Sequence, residues 1–385
     1  MYSLPSSNSL NISALTGLFN ATTNSYKYLY FLSLLDILRR RKFETSSSIT
    51  FREIIVEMLA NAWYPHTYSK LSFGTQDKIT QKLDSLNLEI SDPILKFTDT
   101  DKKLLLKTIS SQKINDIISY FKKYVPFRLL CPFLEQELKE ENISRGIGND
   151  LDLAMPNIVQ KYFESKKPLY YFNSTEYKNC NSLIFSSEWA EYLQENYPIV
   201  RGWVSWEFLK YMQQKNPNVP NIVNKLFMPQ QRDSLSNQTK YWKIILTHKE
   251  IQCIYSKVKL NKDNISLDHY LPWSFVAHDQ LWNLIPTTQS VNSSKSNNLP
   301  STNQYFENFI KLQHLGLTVS CQYFKQNSKQ KTWEKYTEPF ISELKISNTD
   351  DLLDLEKLTN AYKITLNPLI ALAKNQGFSS NWVYS

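Results

Sequence analysis

Most of the chain repeats its apolar side chains with a helical period. Tyr28, Phe31, Leu32, Leu35, Ile37 and Leu38 recur in this way across 25–40, and Asn24 is placed to cap the start. Arg39-Arg40-Arg41-Lys42 closes the run, where cations suit a helix C-terminus; a DNA contact there is the less favoured reading. A second helix is expected over 51–63, stopping at Tyr64-Pro65. Further helical patterns cover 76–87, 100–110, 112–124 and 158–165, while 135–149 reads as a helix running out into a loop at Gly146-Ile147-Gly148. Tyr170-Tyr171-Phe172 and Leu183-Ile184-Phe185 are β-prone enough for a short hairpin, followed by a helix capped by Ser186 or Ser187. A strongly apolar helix over 197–214 carries Trp203, Trp206, Phe208, Leu209 and Met212, a set better suited to a core than to stacking on bases. Pro217, Pro220 and Pro229 break the pattern. It resumes over 234–245 and, after a different stretch, over 305–313, 331–344 and 350–372, the last expected to be interrupted at Pro368. Residues 1–24, rich in Ser and Asn, read as a loose lead-in.

Composition narrows this picture. At 385 residues two or three domains are expected. Only 7 glycines favour helix over a turn-rich β sandwich. A net charge of +8 suits a polyanion partner, although Lys-rich proteins are often simply soluble. Cys131, Cys180, Cys253 and Cys321 have no paired spacing, so no disulfide framework and a reducing cytoplasm are expected. No signal segment and no membrane span is read, since the apolar run 28–35 is far too short. A Gly-rich phosphate loop is also missing.

Chemistry concentrates in one place. Asp268, His269, Asn283 and Asn292 fall within 25 positions, among aromatic and apolar residues. Asp268 and the amide oxygen of Asn292 are oxygen donors of the kind a hard divalent cation takes. His269 is a base that is partly neutral near pH 7 without a shifted pKa. His66, considered as a second catalytic histidine, has no carboxylate near it in sequence and reads as structural.

Asp268-His269, Asn283 fourteen positions on, Asn292 nine further, and the tail Asn292-Ser293-Ser294-Lys295-Ser296-Asn297-Asn298-Leu299-Pro300 resemble the HNH, or ββα-metal, nuclease signature. The tail is especially similar to the HNH domain of RNA-guided CRISPR nucleases. The resemblance covers about residues 240–302. It implies a mainly α protein with an embedded ββα-metal nuclease domain (240–302), a helical N-terminal domain (1–215), a Pro-containing linker (216–239) and a short helical C-terminal region (303–385). By the same resemblance Asp268 and Asn292 would hold Mg²⁺ or Mn²⁺, and His269 would be the base. Asn283 would pin the loop that aims His269, and Lys295 would lie near phosphate. Many HNH domains also carry two Cys-x-x-Cys pairs. Here only Cys253 remains of the first pair, and Thr288 and Val291 stand at the second, so no structural zinc is expected. Packing of Ile254, Leu267, Tyr270, Trp273, Phe275, Trp282, Leu284 and Ile285 would replace it.

The function implied is a metal-dependent endonuclease acting on DNA, of a host-defence or mobile-element kind. Two alternatives stand beside it: a non-catalytic nucleic-acid-binding or assembly subunit retaining the fold, and a partner-activated nuclease acting on RNA. A partner protein of a defence system and a homodimer are both left open. Between Cys253 and Pro300 four Lys face three Asp, so much of the basic surface would come from the flanking regions.

Overall fold

The computed structural model describes residues 4–88, 99–143, 150–227 and 234–385, and it is 62% helical. Its described strands form two small antiparallel sheets, so the protein is mainly α. Two compact units divide the chain: residues 4–217 with 226–227, and residues 218–225 with those from 234 onward.

In the first unit the helix Tyr26–Arg40 buries nearly its whole circumference, as an all-round apolar pattern requires. It packs on the helices Phe51–Trp63 and Tyr197–Lys215. Thr50 caps the former by accepting from the Glu53 amide at 3.1 Å. Strands β1 (Ile49–Thr50), β2 (Tyr170–Phe172) and β3 (Ser182–Phe185) form a sheet in the order β1-β3-β2, with Ile49 opposite Leu183 and Tyr170 opposite Phe185. The hairpin was expected; β1 is an addition. An ion network ties four helices, the fourth being Asp99–Ser110. Lys102 lies 2.8 Å from Asp36 and 2.7 Å from Glu57, and donates to Asn61 at 3.0 Å. Arg40 holds the other Glu57 oxygen at 2.8 Å, and Arg201 reaches Asp36 at 3.5 Å. Burial pushes the Asp36 carboxyl up, but Lys102 and Arg201 outweigh it and hold it below its usual value.

Several expectations are corrected here. The lead-in is folded: Asn11 caps the helix Ile12–Thr16, and Leu10, Leu15, Leu18 and Phe19 are buried, Phe19 stacking on Tyr28 at 4.6 Å. Its scattered apolar positions are enough to dock it. Ser25, not Asn24, stands at the N-cap of Tyr26–Arg40. The chain continues past Pro65 in a π-helical turn, Tyr64–Tyr68, and His66 meets the Asp84 carboxylate at 2.8 Å. The helices Ile79–Asp84, Asn115–Lys122 and Glu135–Glu140 are shorter than their patterns, and Gly146-Ile147-Gly148 lies outside the described residues. The helix expected over 158–165 instead runs Asp150–Lys166, through Pro156, because Leu151, Met155, Ile158 and Val159 form one buried face.

In the second unit, strands β4 (Ser266–His269) and β5 (Leu284–Thr287) pair antiparallel, placing Asp268 opposite Ile285 and His269 opposite Leu284. The helix Gln289–Lys295 packs on β4. Four longer helices complete the unit: Ser236–His248, Thr302–Gln326, Gln330–Leu344 and Leu355–Asn375. All share one core with the hairpin. Of the apolar residues expected to hold it, Trp273 is half-buried and the others are buried. The ring of Trp242 lies against Gly316, where an added Cβ would come within 3.0 Å. Glycine is what lets the two helices approach so closely. Pro368 does not interrupt the last helix: it is exposed, while Leu358, Tyr362, Leu366 and Ile370 repeat every four residues against the core. That packing overrides the proline signal. Beyond this helix the chain returns to the segments flanking the β4–β5 hairpin. Trp382 donates its amide to Leu299 at 3.0 Å, accepts from Ser301 at 2.9 Å, and sets its ring 5.2 Å from that of Tyr255.

Candidate active site

Neighbouring residues of a strand point to opposite faces, and β4 uses both. Asp268 turns towards the helix Gln289–Lys295, and His269 towards the connection leading to β5.

Asp268 is only 2% exposed, and each of its oxygens is held. Lys295 donates to Oδ1 at 3.1 Å and the Tyr255 hydroxyl donates to Oδ2 at 2.7 Å. Burial, reinforced by Asp268, pushes the Tyr255 hydroxyl well above its ordinary range, so it stays a proton donor. Lys295 is fully buried and also donates to the His269 carbonyl at 2.6 Å. Burial pushes its pKa down while Asp268 acts against that. The structure thus places Lys295 beneath Asp268 and the β4 backbone, with its ammonium engaged there. Three positions apart on one helix, Asn292 and Lys295 share the face that lies on β4, which is why the lysine points inward.

Asn292 donates Nδ2 to Ser266 Oγ at 2.8 Å and to the Leu267 carbonyl at 3.2 Å. Its amide oxygen is thereby turned the other way. Asp268, after its two bonds, retains acceptor capacity on both oxygens. A carboxylate and an amide oxygen, each oriented by other bonds, fit a Mg²⁺-type ion that completes its shell with water. Among the described residues there is no group of three or more His, Cys, Asp or Glu side chains suited to a metal. Cys253 lies buried beside Thr287, Sγ to Oγ1 3.2 Å.

His269 is 8% exposed and its Nε2 lies 2.7 Å from Asp279 Oδ1. Asn283, fully buried, pairs its whole side chain with Leu271: Nδ2 donates to the carbonyl at 2.9 Å, and Oδ1 accepts from the amide at 2.8 Å. Its own carbonyl accepts from Tyr270 at 2.9 Å. These bonds extend the hairpin past His269 and fix the chain just beyond the histidine. The Asn283 loop is itself hooked to the C-terminal helices. Gln313 donates to the carbonyls of Leu281 and Leu284 at 3.1 and 3.0 Å, and Tyr362 donates to that of Trp282 at 2.9 Å. His278, beside Asp279, is pushed down to about 4 by burial, with His269 and Lys225 adding to the fall and Asp279 opposing it.

Sequence reasoning placed Asp268, His269, Asn283 and Asn292 together, and they do gather on the hairpin and its helix. It missed Asp279 and Tyr255. Asp279 follows His269 by ten positions in an irregular connection. Tyr255 stands inside the remnant of the first cysteine pair, Cys253-Ile254-Tyr255-Ser256. Nothing in local pattern marks either as a partner of the pair at 268–269.

No helix among the described residues is long and apolar enough to cross a membrane. No curated protein and no solved structure matches the chain. A family model does match residues 253–301, and it describes the HNH endonucleases. This segment, from Cys253 to the end of the 292–300 tail, carries an HNH endonuclease domain.

Proposed function

We propose that the chain is a metal-dependent endonuclease hydrolysing DNA phosphodiester bonds. What carries the reading is the arrangement on one hairpin: an oriented Asp268 backed by Asn292 on one face of β4, and His269 held by Asp279 on the other. Asp268 and Asn292 would hold Mg²⁺ or Mn²⁺, which would stabilise charge growing on the phosphate and its leaving oxygen. In the neutral tautomer that donates Nε2–H to Asp279, Nδ1 is the acceptor nitrogen of His269. His269 takes the proton of the attacking water as the new P–O bond forms and the old one breaks. Asn283 is a positioning residue, acting through the Leu271 backbone. One site cuts one strand, so a double-strand break needs a second copy or a second nick.

A second reading, a non-catalytic subunit retaining the fold, draws on the Lys295–Asp268 pair, because an internal cation already neutralises the proposed ligand. Supercoiled plasmid with Mg²⁺ or Mn²⁺, beside EDTA and His269→Ala, separates the two. The nuclease reading expects metal-dependent nicking, slower by about 10²–10⁴-fold in the variant. Nicking that survives His269→Ala, or no cutting of DNA under any of these conditions, overturns it.

A further inference from the structure

The two oxygens of Asp268 have donors of different kinds. Lys295 brings an ammonium to Oδ1 at 3.1 Å, and Tyr255 brings a phenol to Oδ2 at 2.7 Å. A phenol is neutral near pH 7, so it orients the carboxylate without cancelling its charge. The second torsion of an aspartate is broad, and bonds at the oxygens are what fix the plane of the carboxylate.

Tyr255 is itself held on several sides. Its loop closes tightly, with Cys253 donating to the Val258 carbonyl and Lys257 to that of Cys253, both at 2.9 Å. The residue is 5% exposed, and the rings of Tyr305 and Trp382 meet it edge-on, with centroids 4.9 and 5.2 Å away. Backbone bonds to Leu299 and Ser301 anchor Trp382 in turn. Packing alone does not call for the hydroxyl, because phenylalanine would fill the same space between these rings. What the oxygen adds is the bond to Asp268. A ligand oriented before its ion arrives loses less freedom on binding, and partners of this kind are worth about 10–100-fold in metal affinity.

We infer that Tyr255 is a positioning residue of the metal site, fixing the plane of the Asp268 carboxylate for the divalent cation, while Trp382 keeps the hydroxyl in place. The assignment rests on the metal-dependent nuclease reading above. Its test uses the full chain as wild type, Tyr255→Phe, Trp382→Leu and the double variant. Uptake of Mn²⁺ without DNA is followed by loss of the free-ion paramagnetic resonance signal, and plasmid nicking is followed against Mn²⁺ concentration. Tyr255→Phe should weaken Mn²⁺ binding by about 10–100-fold. Its nicking should need correspondingly more Mn²⁺, with the rate at saturating Mn²⁺ affected less. Trp382→Leu should weaken uptake by a smaller factor, and the double variant no more than Tyr255→Phe alone, since both act through one hydroxyl. Unchanged Mn²⁺ affinity in Tyr255→Phe, with or without a lowered thermal midpoint, makes Tyr255 a packing residue and overturns the assignment. The nuclease reading then still stands on the nicking by wild type. Should Tyr255→Phe not fold, Trp382→Leu carries the test, and unchanged affinity there overturns the assignment. Full additivity of the two changes removes Trp382 from the role. A wild type that neither takes up Mn²⁺ nor nicks removes the nuclease reading, and the assignment falls with it.

Discussion

Each unit of this protein buries a set of opposite charges, and the two sets are finished to different degrees. In the first unit Lys102 spends its donors on Asp36, Asn61 and Glu57, while Arg40 and Arg201 take further carboxylate oxygens. In the second, Lys295 and Tyr255 hold Asp268 yet leave it acceptor capacity, and among the described residues Lys225 makes no hydrogen bond. Burial of charge is common to both. The saturated set behaves as a structural tie between helices. The unfinished one keeps unused acceptor capacity on Asp268 and unused donors on Lys225. Spare hydrogen-bonding capacity, more than burial or charge, distinguishes a site from a strut.

The largest effect that can break this distinction comes from removing the two ion-paired lysines, Lys295 and Lys102, in turn. Lys295→Met leaves a nearly inaccessible carboxylate uncompensated and should cost about 3–5 kcal/mol of stability. Lys102→Met should fall towards the lower end, its side chain being 34% exposed. Mg²⁺ or Mn²⁺ should then restore part of the loss in Lys295→Met, by binding Asp268, and none in Lys102→Met. Urea unfolding with and without metal reads both, and equal rescue of the two variants would erase the contrast.

A smaller effect is expected at Asn283. Asn283→Ala strands the amide and carbonyl of Leu271 and should cost about 2–3 kcal/mol. It should also lower the rate of nicking by the remaining folded protein, with the nicking constant for substrate less affected than the rate. A stability loss with an unchanged rate would demote Asn283 from positioning residue to core residue.

The mildest test is pH. Unfolded His278 takes up its proton near pH 6.5, and the folded one only near about 4. Between these values the unfolded state binds more protons, so stability rises with pH and is lost as pH falls through the window, on the order of 2 kcal/mol. Asp36, held below its ordinary value, contributes stability above pH 3.8 that is lost only at lower pH still. Acidification from pH 6.5 to 4 should therefore weaken the second unit before this network of the first. His278→Gln should flatten that part of the pH–stability curve, and a curve with the same slope in the variant would assign it elsewhere.

The candidate site was legible where its residues belong to regular elements. Asp268 and His269 sit on a strand, and Asn292 on the helix behind it, so the resemblance of this stretch to the HNH signature carried the arrangement. The inward placement of Lys295 was legible too, since it stands three residues after Asn292 on the same helix face. Asp279 and Tyr255 were not legible, because their contacts with His269 and Asp268 come from which segments the fold brings together. The same division runs through the fold. The helix at 51–63 followed its apolar period, whereas Pro156, Pro368 and the folded residues 4–20 show packing prevailing over local signals.

The return of Trp382 to Tyr255 also has a bearing on when the site forms. Tyr255, the residue behind Asp268, meets a ring that lies 127 positions later in the chain (382 − 255). A ribosome adding about 5–20 residues per second needs on the order of ten seconds to cover that distance. Tyr362, which fastens the Asn283 loop, also emerges late, 79 positions after it (362 − 283). The acid and the histidine thus leave the ribosome well ahead of the side chains that brace them, and the centre is completed near the end of translation of this segment, not as its motif emerges.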